Sequence, residues 1–171
     1  MSNHVFASVG SRFPMDRLLV ALDHFAAQHP TFKVSAQSGK CSQPLPHTVS
    51  QSWFNAKKFE QAVIDCDIFV SHAGMGNILL AAQHEKPIVI MPRQAQYEEH
   101  INDHQLATAE GLKDRSFIYV VNTPEELQST VLTIASKAQL RSDNRCDENR
   151  HSEPPQRSQL VDTLRIFLDK D

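Results

Sequence analysis

The chain has 171 residues, the span of one domain, and its 40% hydrophobic and 22% charged content is that of a folded protein with a single core rather than a disordered one. A net charge of −3 leaves no overall electrostatic footprint for nucleic acid. The three cysteines, Cys41, Cys66 and Cys146, have no CxxC spacing, which argues against a disulfide framework or a thiolate zinc site and favours a reducing cytoplasm. Met1-Ser2-Asn3-His4 runs straight into a strand-like segment without a leader pattern, and no stretch approaches ~18 consecutive apolar residues, so the chain is expected to be neither secreted nor membrane-spanning.

Short apolar runs alternate with helical patterns. Val5 to Val9 reads as a strand, followed by a helical stripe of Met15, Leu18, Leu19, Leu22, Phe25 and Ala26. Phe32 to Ala36 is the next strand, and a weaker one falls around His47 to Trp53. Ile68 to Val70, Ile88 to Met91 and Phe117 to Val121 complete the set, with a helix over Ile78 to His84. These runs lack alternation, which fits parallel strands buried on both faces. Thr123-Pro124-Glu125-Glu126 opens another helix, with Thr123 at the N-cap, Pro124 at the first helical position and Glu126 completing a capping box. Its apolar face continues through Leu127, Val131, Ile134, Ala135 and Ala138. From Gln139 to Arg157 the pattern gives way to mixed charges and Pro154-Pro155, read as a polar linker. A final amphipathic helix over 158–171 carries Leu160, Val161, Leu164, Phe167 and Leu168 on one stripe; packing on the domain, a partner surface and a membrane surface are its alternative roles.

This order is that of βαβ units, and the expected fold class is α/β: a single Rossmann-like domain over 1–138 with a mainly parallel, doubly wound sheet in the order 3-2-1-4-5-6. In that order the connections reverse direction between the first and fourth strands, and ligands bind beyond the carboxyl ends there. Gly10-Ser11-Arg12 follows the first strand and Ser71-His72-Ala73-Gly74-Met75-Gly76-Asn77 the fourth, so the two loops flank one crevice.

The second loop is a glycine-containing turn that opens a helix. Free N–H groups at such a start favour a diphosphate, and Gly74 and Gly76 let a ligand approach the main chain where a Cβ would intrude. A plain tight turn is the competing reading. It is not a dinucleotide fingerprint, because the third glycine is missing, and a nicotinamide enzyme is therefore disfavoured. After the fifth strand, Met91-Pro92-Arg93 and then Glu99-His100-Ile101-Asn102-Asp103-His104-Gln105 supply many groups that can bond sugar hydroxyls. His100 and His104 stand at i, i+4, but Ile101 occupies the position where an HExxH site needs glutamate, and no third ligand is evident, so no metal is expected. Arg12 and Arg93 are placed to meet phosphate charge.

The runs Val70 to Leu79, Lys86 to Arg93 and Glu99 to Ala109, with the opening Val5 to Ser11 and Gln37-Ser38-Gly39-Lys40, resemble the C-terminal domain of family 28 glycosyltransferases over about residues 4–138. Within that family the chain resembles the single-domain subunit of the two-chain N-acetylglucosaminyltransferase of dolichol-linked oligosaccharide synthesis and bacterial PssE-type exopolysaccharide subunits. The resemblance implies half of a GT-B fold and inverting transfer from a UDP-sugar to a lipid-linked acceptor without a bound metal or other cofactor. It further implies a membrane-anchored partner that holds the acceptor and the catalytic base, and a location at the cytoplasmic side of the membrane.

By position, the turn of Gly10 and Ser11 and the turn of Gly74, Met75, Gly76 and Asn77 would surround the diphosphate, and Phe54 would lie near the uracil; Arg12, His72 and Arg93 are further candidates for donor binding. Glu99 and His100 would read the donor sugar, and Asp103 would support that helix start. Leu80 stands where peptidoglycan members of the family carry a glutamate bonded to the ribose, and Asn77 is a candidate substitute. A non-catalytic nucleotide-sugar-binding regulator is the alternative from another class. A sugar-nucleotide epimerase of similar fold requires both GT-B domains in one chain, which the length disfavours.

Overall fold

The computed structural model describes residues 3–113 and 115–144. Six strands form one sheet in the order β3-β2-β1-β4-β5-β6, every neighbouring pair parallel. They are β1 (Asn3–Ser8), β2 (Phe32–Gln37), β3 (Val49–Gln51), β4 (Ile68–His72), β5 (Ile88–Met91) and β6 (Ile118–Val120), joined by α1 (Asp16–Gln28), α2 (Ala56–Asp65), α3 (Met75–Gln83), α4 (His104–Leu112) and α5 (Pro124–Asn144). This is the doubly wound order expected from the alternation of apolar runs.

Helices cover both faces, which is why the central strands read as unbroken apolar runs. On one face Val5, Ala7, Val70 and Val89 pack under Leu18, Leu22 and Phe25 of α1 and Leu127, Val131 and Ile134 of α5. On the other, Phe6, Phe69, Ile88 and Ile90 pack under Val63 of α2, Ile78 and Ala81 of α3, and Ala109 and Leu112 of α4. Phe6 stacks on Phe69 at 5.6 Å between ring centroids and meets Phe59 edge-on at 5.5 Å. Cys66 belongs to this second core; burial pushes its thiol up to about 12, so it acts as a small apolar residue.

β3 is a three-residue edge strand with every residue exposed, which explains its weak signal: no apolar face is buried to reveal it. The capping of α5 follows the sequence with one shift. The Glu126 amide donates to Thr123 Oγ1 at 3.2 Å, but the Glu126 carboxylate accepts from the N–H of Asn122 at 2.7 Å rather than from Thr123 itself. α5 continues past Ala138 to Asn144, so the polar segment expected from Gln139 begins as helix. The remainder of that segment and the expected helix at Leu160 to Leu168 lie outside the described residues. Among the described residues no helix is long and apolar enough to cross a membrane.

Candidate functional site

The register puts polar residues in one row at the carboxyl end of the sheet: Gln51 beside Gln37, Gln37 beside Ser8, and Ser8 beside Ser71. Gln37, Ser8 and Ser71 are buried, so their polar groups must be satisfied, and each is used to fix a loop. Gln37 Oε1 accepts from the Phe54 N–H at 3.0 Å. Ser8 Oγ accepts from the Gly10 N–H at 3.3 Å, and the Ser8 carbonyl accepts from Ser71 Oγ at 3.2 Å. Ser71 in turn accepts from Asn77 Nδ2 at 2.6 Å. One chain of hydrogen bonds therefore joins the turn after β1 to the start of α3.

His72, the last residue of β4, sits between these two turns. Its Nδ1 is 3.4 Å from Ser71 Oγ and 3.5 Å from the Ser8 carbonyl. A Cβ on Gly74 would lie 2.5 Å from His72 Nε2, and one on Gly10 3.3 Å from its Cε1. Gly10 also has φ +70, and Gly39 has φ +56 with its Cβ position 2.2 Å from the Gly10 carbonyl oxygen. That last approach is main chain on main chain, so the loop after β2 seats the β1 turn only because residue 39 lacks a side chain. Burial pushes the His72 imidazole down to about 4, with the charge of Arg93 and the proximity of His100 adding to the effect, so the ring is neutral at physiological pH.

α3 starts at Gly74, which has no side chain to cap it. The amides of Asn77 and Ile78 return to the Gly74 carbonyl, while those of Met75 and Gly76 precede any acceptor within the helix. A Cβ at Gly76 would meet nothing within 4 Å, so the protein itself does not require glycine there. Beside this helix start lies a cleft of about 550 Å³ bordered by Gln37, Phe54, Gly76, Asn77 and Leu80. The structure thus gathers Gly10, Phe54, His72, Gly74, Met75, Gly76 and Asn77 at one crevice, with Ser11 and Arg12 exposed on the β1 turn. Arg12 lies over the Phe13 ring at 5.4 Å.

The segment after β5 departs from the sequence expectation. Arg93 does not reach out to a phosphate. It is 3% exposed, and its guanidinium donates to the carbonyls of Pro14 at 3.0 Å, Phe13 at 2.9 Å and Glu99 at 2.6 Å, and to that of Val9. The Glu99 carboxylate, also 3% exposed, is held by Arg17, whose Nε and Nη2 donate to its two oxygens at 3.1 and 2.9 Å. Glu99 accepts a further bond from the Gln94 N–H at 3.1 Å, so both its oxygens are engaged by the protein. Asp103 occupies the N-cap of α4 without capping it; its carboxylate accepts instead from the Ala95 N–H at 2.7 Å, closing the turn before it. Only His100 of the expected sugar-reading pair keeps a free group: its Nδ1 is buried without a partner, and its ring lies 5.1 Å from Phe13 and 4.6 Å from His104.

Arg17 is the residue that sequence reasoning missed. It lies 82 positions from Glu99, on the polar flank of an ordinary amphipathic helix, and no local motif marks it. Gln105, expected from the sequence among the groups that bond sugar hydroxyls, is instead buried in α4, where its side chain accepts from the Arg93 N–H at 3.1 Å. No group of three metal-ligating side chains occurs among the described residues.

Known proteins share this architecture. A crystal structure of the glycotransferase of kitacinnamycin superposes with a TM-score of 0.64 at 21% identity, covering 98% of this chain and 39% of that one. MurG of Acinetobacter baumannii gives 0.57 at 18% identity, over 96% of this chain and 50% of the other. The solution structure of ALG13 gives 0.53 at 15% identity, over 76% of this chain and 84% of that one. The chain therefore spans half or less of the two larger proteins. No curated protein matches its sequence. Residues 19–157 match the glycosyltransferase family 28 C-terminal domain, and the chain, with the six-stranded parallel sheet of half a GT-B fold, belongs to that family.

Proposed function

We propose that this chain is the donor-binding half of an inverting, metal-independent glycosyltransferase that uses a UDP-sugar and acts with a membrane-anchored chain holding a lipid-linked acceptor. The observation that carries the reading is the convergence of the Gly10 turn, the His72 ring and the uncapped start of α3 on one crevice at the switch point of the sheet. The positive end of α3 and the amides of Met75 and Gly76 suit a diphosphate, and the same groups stabilise the charge that develops on it as the sugar departs. Arg12, exposed on the β1 turn, adds a cation. The cleft past Gly76 takes the nucleoside, with Phe54 against the base. Leu80 gives that cleft an apolar wall, and Asn77, its amide nitrogen bound to Ser71, offers its amide oxygen to a ribose hydroxyl.

A GT-B reaction takes place between two Rossmann-like domains, and the described residues build one. The acceptor, the general base and the attachment to the cytoplasmic side of the membrane are assigned to the partner chain, whose juxtaposition of the two substrates supplies much of the rate. The test is a transfer assay with radiolabelled UDP-sugar and lipid-linked acceptor, run on this chain, on the partner and on the coexpressed pair. Turnover by the pair with almost none from either chain alone is expected. Full turnover by this chain alone would overturn the split arrangement, and donor binding without transfer in any pairing would identify a binding regulator instead.

A further inference from the structure

Two arginines and one glutamate lock three connections at the carboxyl end of the sheet. Arg93 ties the segment after β5 to the Val9, Phe13 and Pro14 carbonyls of the β1 turn. Arg17, from the first turn of α1, holds Glu99 through two bonds and donates as well to the carbonyls of Asn122 at 2.8 Å and Pro92 at 3.3 Å. Its guanidinium also covers the exposed Tyr97 ring at 4.7 Å. The Arg17–Glu99 pair is well shielded, with side chains 15% and 4% exposed, and the two parallel N–H···O bonds fix the carboxylate in orientation as well as place. His100 follows Glu99 directly, with its ring against Phe13 of the β1 turn and its Nδ1 buried and unpartnered.

We propose that Arg17 and Glu99 are positioning residues: neither touches the donor, and together they hold the backbone at residue 99 so that His100 is presented to the donor sugar. The proposal rests on the donor-binding reading above and replaces the expectation that Glu99 itself bonds sugar hydroxyls. The Glu99 carboxylate is 4% exposed and takes two bonds from Arg17 and one from Gln94, so a ligand hydroxyl reaches its remaining acceptor site only if the clamp opens. Tyr97 adds to the arrangement by shielding the outer face of the Arg17 guanidinium, where an aromatic face favours a cation.

The test compares UDP with a UDP-sugar in calorimetric titrations of wild type, Arg17→Gln, Glu99→Gln, the double variant and His100→Ala, each checked for folding by its melting transition. Arg17→Gln and Glu99→Gln should each weaken the UDP-sugar about tenfold and UDP less than about twofold, with the double variant no worse than either single one, as coupled residues behave. In the His100→Ala background Glu99→Gln should have no further effect. A loss in Glu99→Gln that Arg17→Gln does not share, or one that adds to His100→Ala, would mean that Glu99 bonds the donor directly and would overturn the proposal. A ligand-free measurement separates this from failure of donor binding itself: the His100 imidazole resonances should shift in Arg17→Gln without any nucleotide, and unchanged resonances would overturn the clamp whatever the donor does.

Discussion

The turn after β4 and the segment after β5 lie at the same end of the sheet, yet the protein uses them differently. After β4, the N–H groups of Met75 and Gly76 open α3 with no side chain capping them, and Gly76 has nothing within 4 Å of its Cβ position. After β5, Arg93, Glu99 and Asp103 are all engaged by the protein's own carbonyls, amides and Arg17. The first region is built to meet something from outside, and the second is built to hold itself still. A charged residue near a crevice is therefore a ligand candidate only after its own partners in the fold have been counted, and by that measure Arg93 and Glu99 belong to the scaffold.

The largest effect that sharpens this contrast is expected at Arg93. Arg93→Met leaves four buried or partly buried carbonyls without their charged donor and should lower the unfolding free energy by about 4 kcal/mol in urea denaturation. A loss below about 1 kcal/mol would show that water serves those carbonyls equally well and that the β5 segment is not locked.

His72 comes next, through pH. Its folded value of about 4 lies below the ordinary 6.5, so the unfolded chain binds the proton more readily. The stability tied to its neutral ring is fully present above about pH 6.5 and is lost as pH falls toward 4, and at about 1.4 kcal/mol per pH unit the total approaches about 3 kcal/mol. His4 is depressed in the same direction by burial and adds its own acid sensitivity, so the informative quantity is the difference between wild type and His72→Gln. That difference should narrow as pH falls through this window; parallel stability curves would remove the buried, neutral His72 from the centre of the site.

The fold was legible because its signals are local. Apolar runs such as Ile88 to Met91 carry their own burial pattern, and the Thr123-Pro124 start of α5 carries its own cap, so the parallel α/β class followed from the alternation, while the strand order came from the doubly wound template. The glycine turns were legible for a related reason: Gly10 and Gly74 are required by the nearness of His72, and a glycine beside a strand end announces such a requirement. Arg17 and Glu99 were not legible in these roles, since their pairing spans 82 positions and no periodicity or motif records which charge finds which. Asp103 illustrates the same limit on a smaller scale. Its place before α4 reads as a cap, but the Ala95 amide eight positions earlier takes its carboxylate.

The smallest expected change in stability is at Gly76, and it supports the most direct measurement. Gly76→Val should stay within about 1 kcal/mol of wild type, because a Cβ there meets no atom within 4 Å beyond the helix's own backbone. The same side chain stands where the diphosphate is proposed to lie. Titration calorimetry of UDP and a UDP-sugar into wild type and Gly76→Val therefore isolates the central claim. Wild type should bind both nucleotides, and the stably folded variant should lose at least about tenfold in affinity for both. Equal affinity in the two proteins, or no binding to wild type at millimolar nucleotide, would contradict the assignment of this turn to the donor.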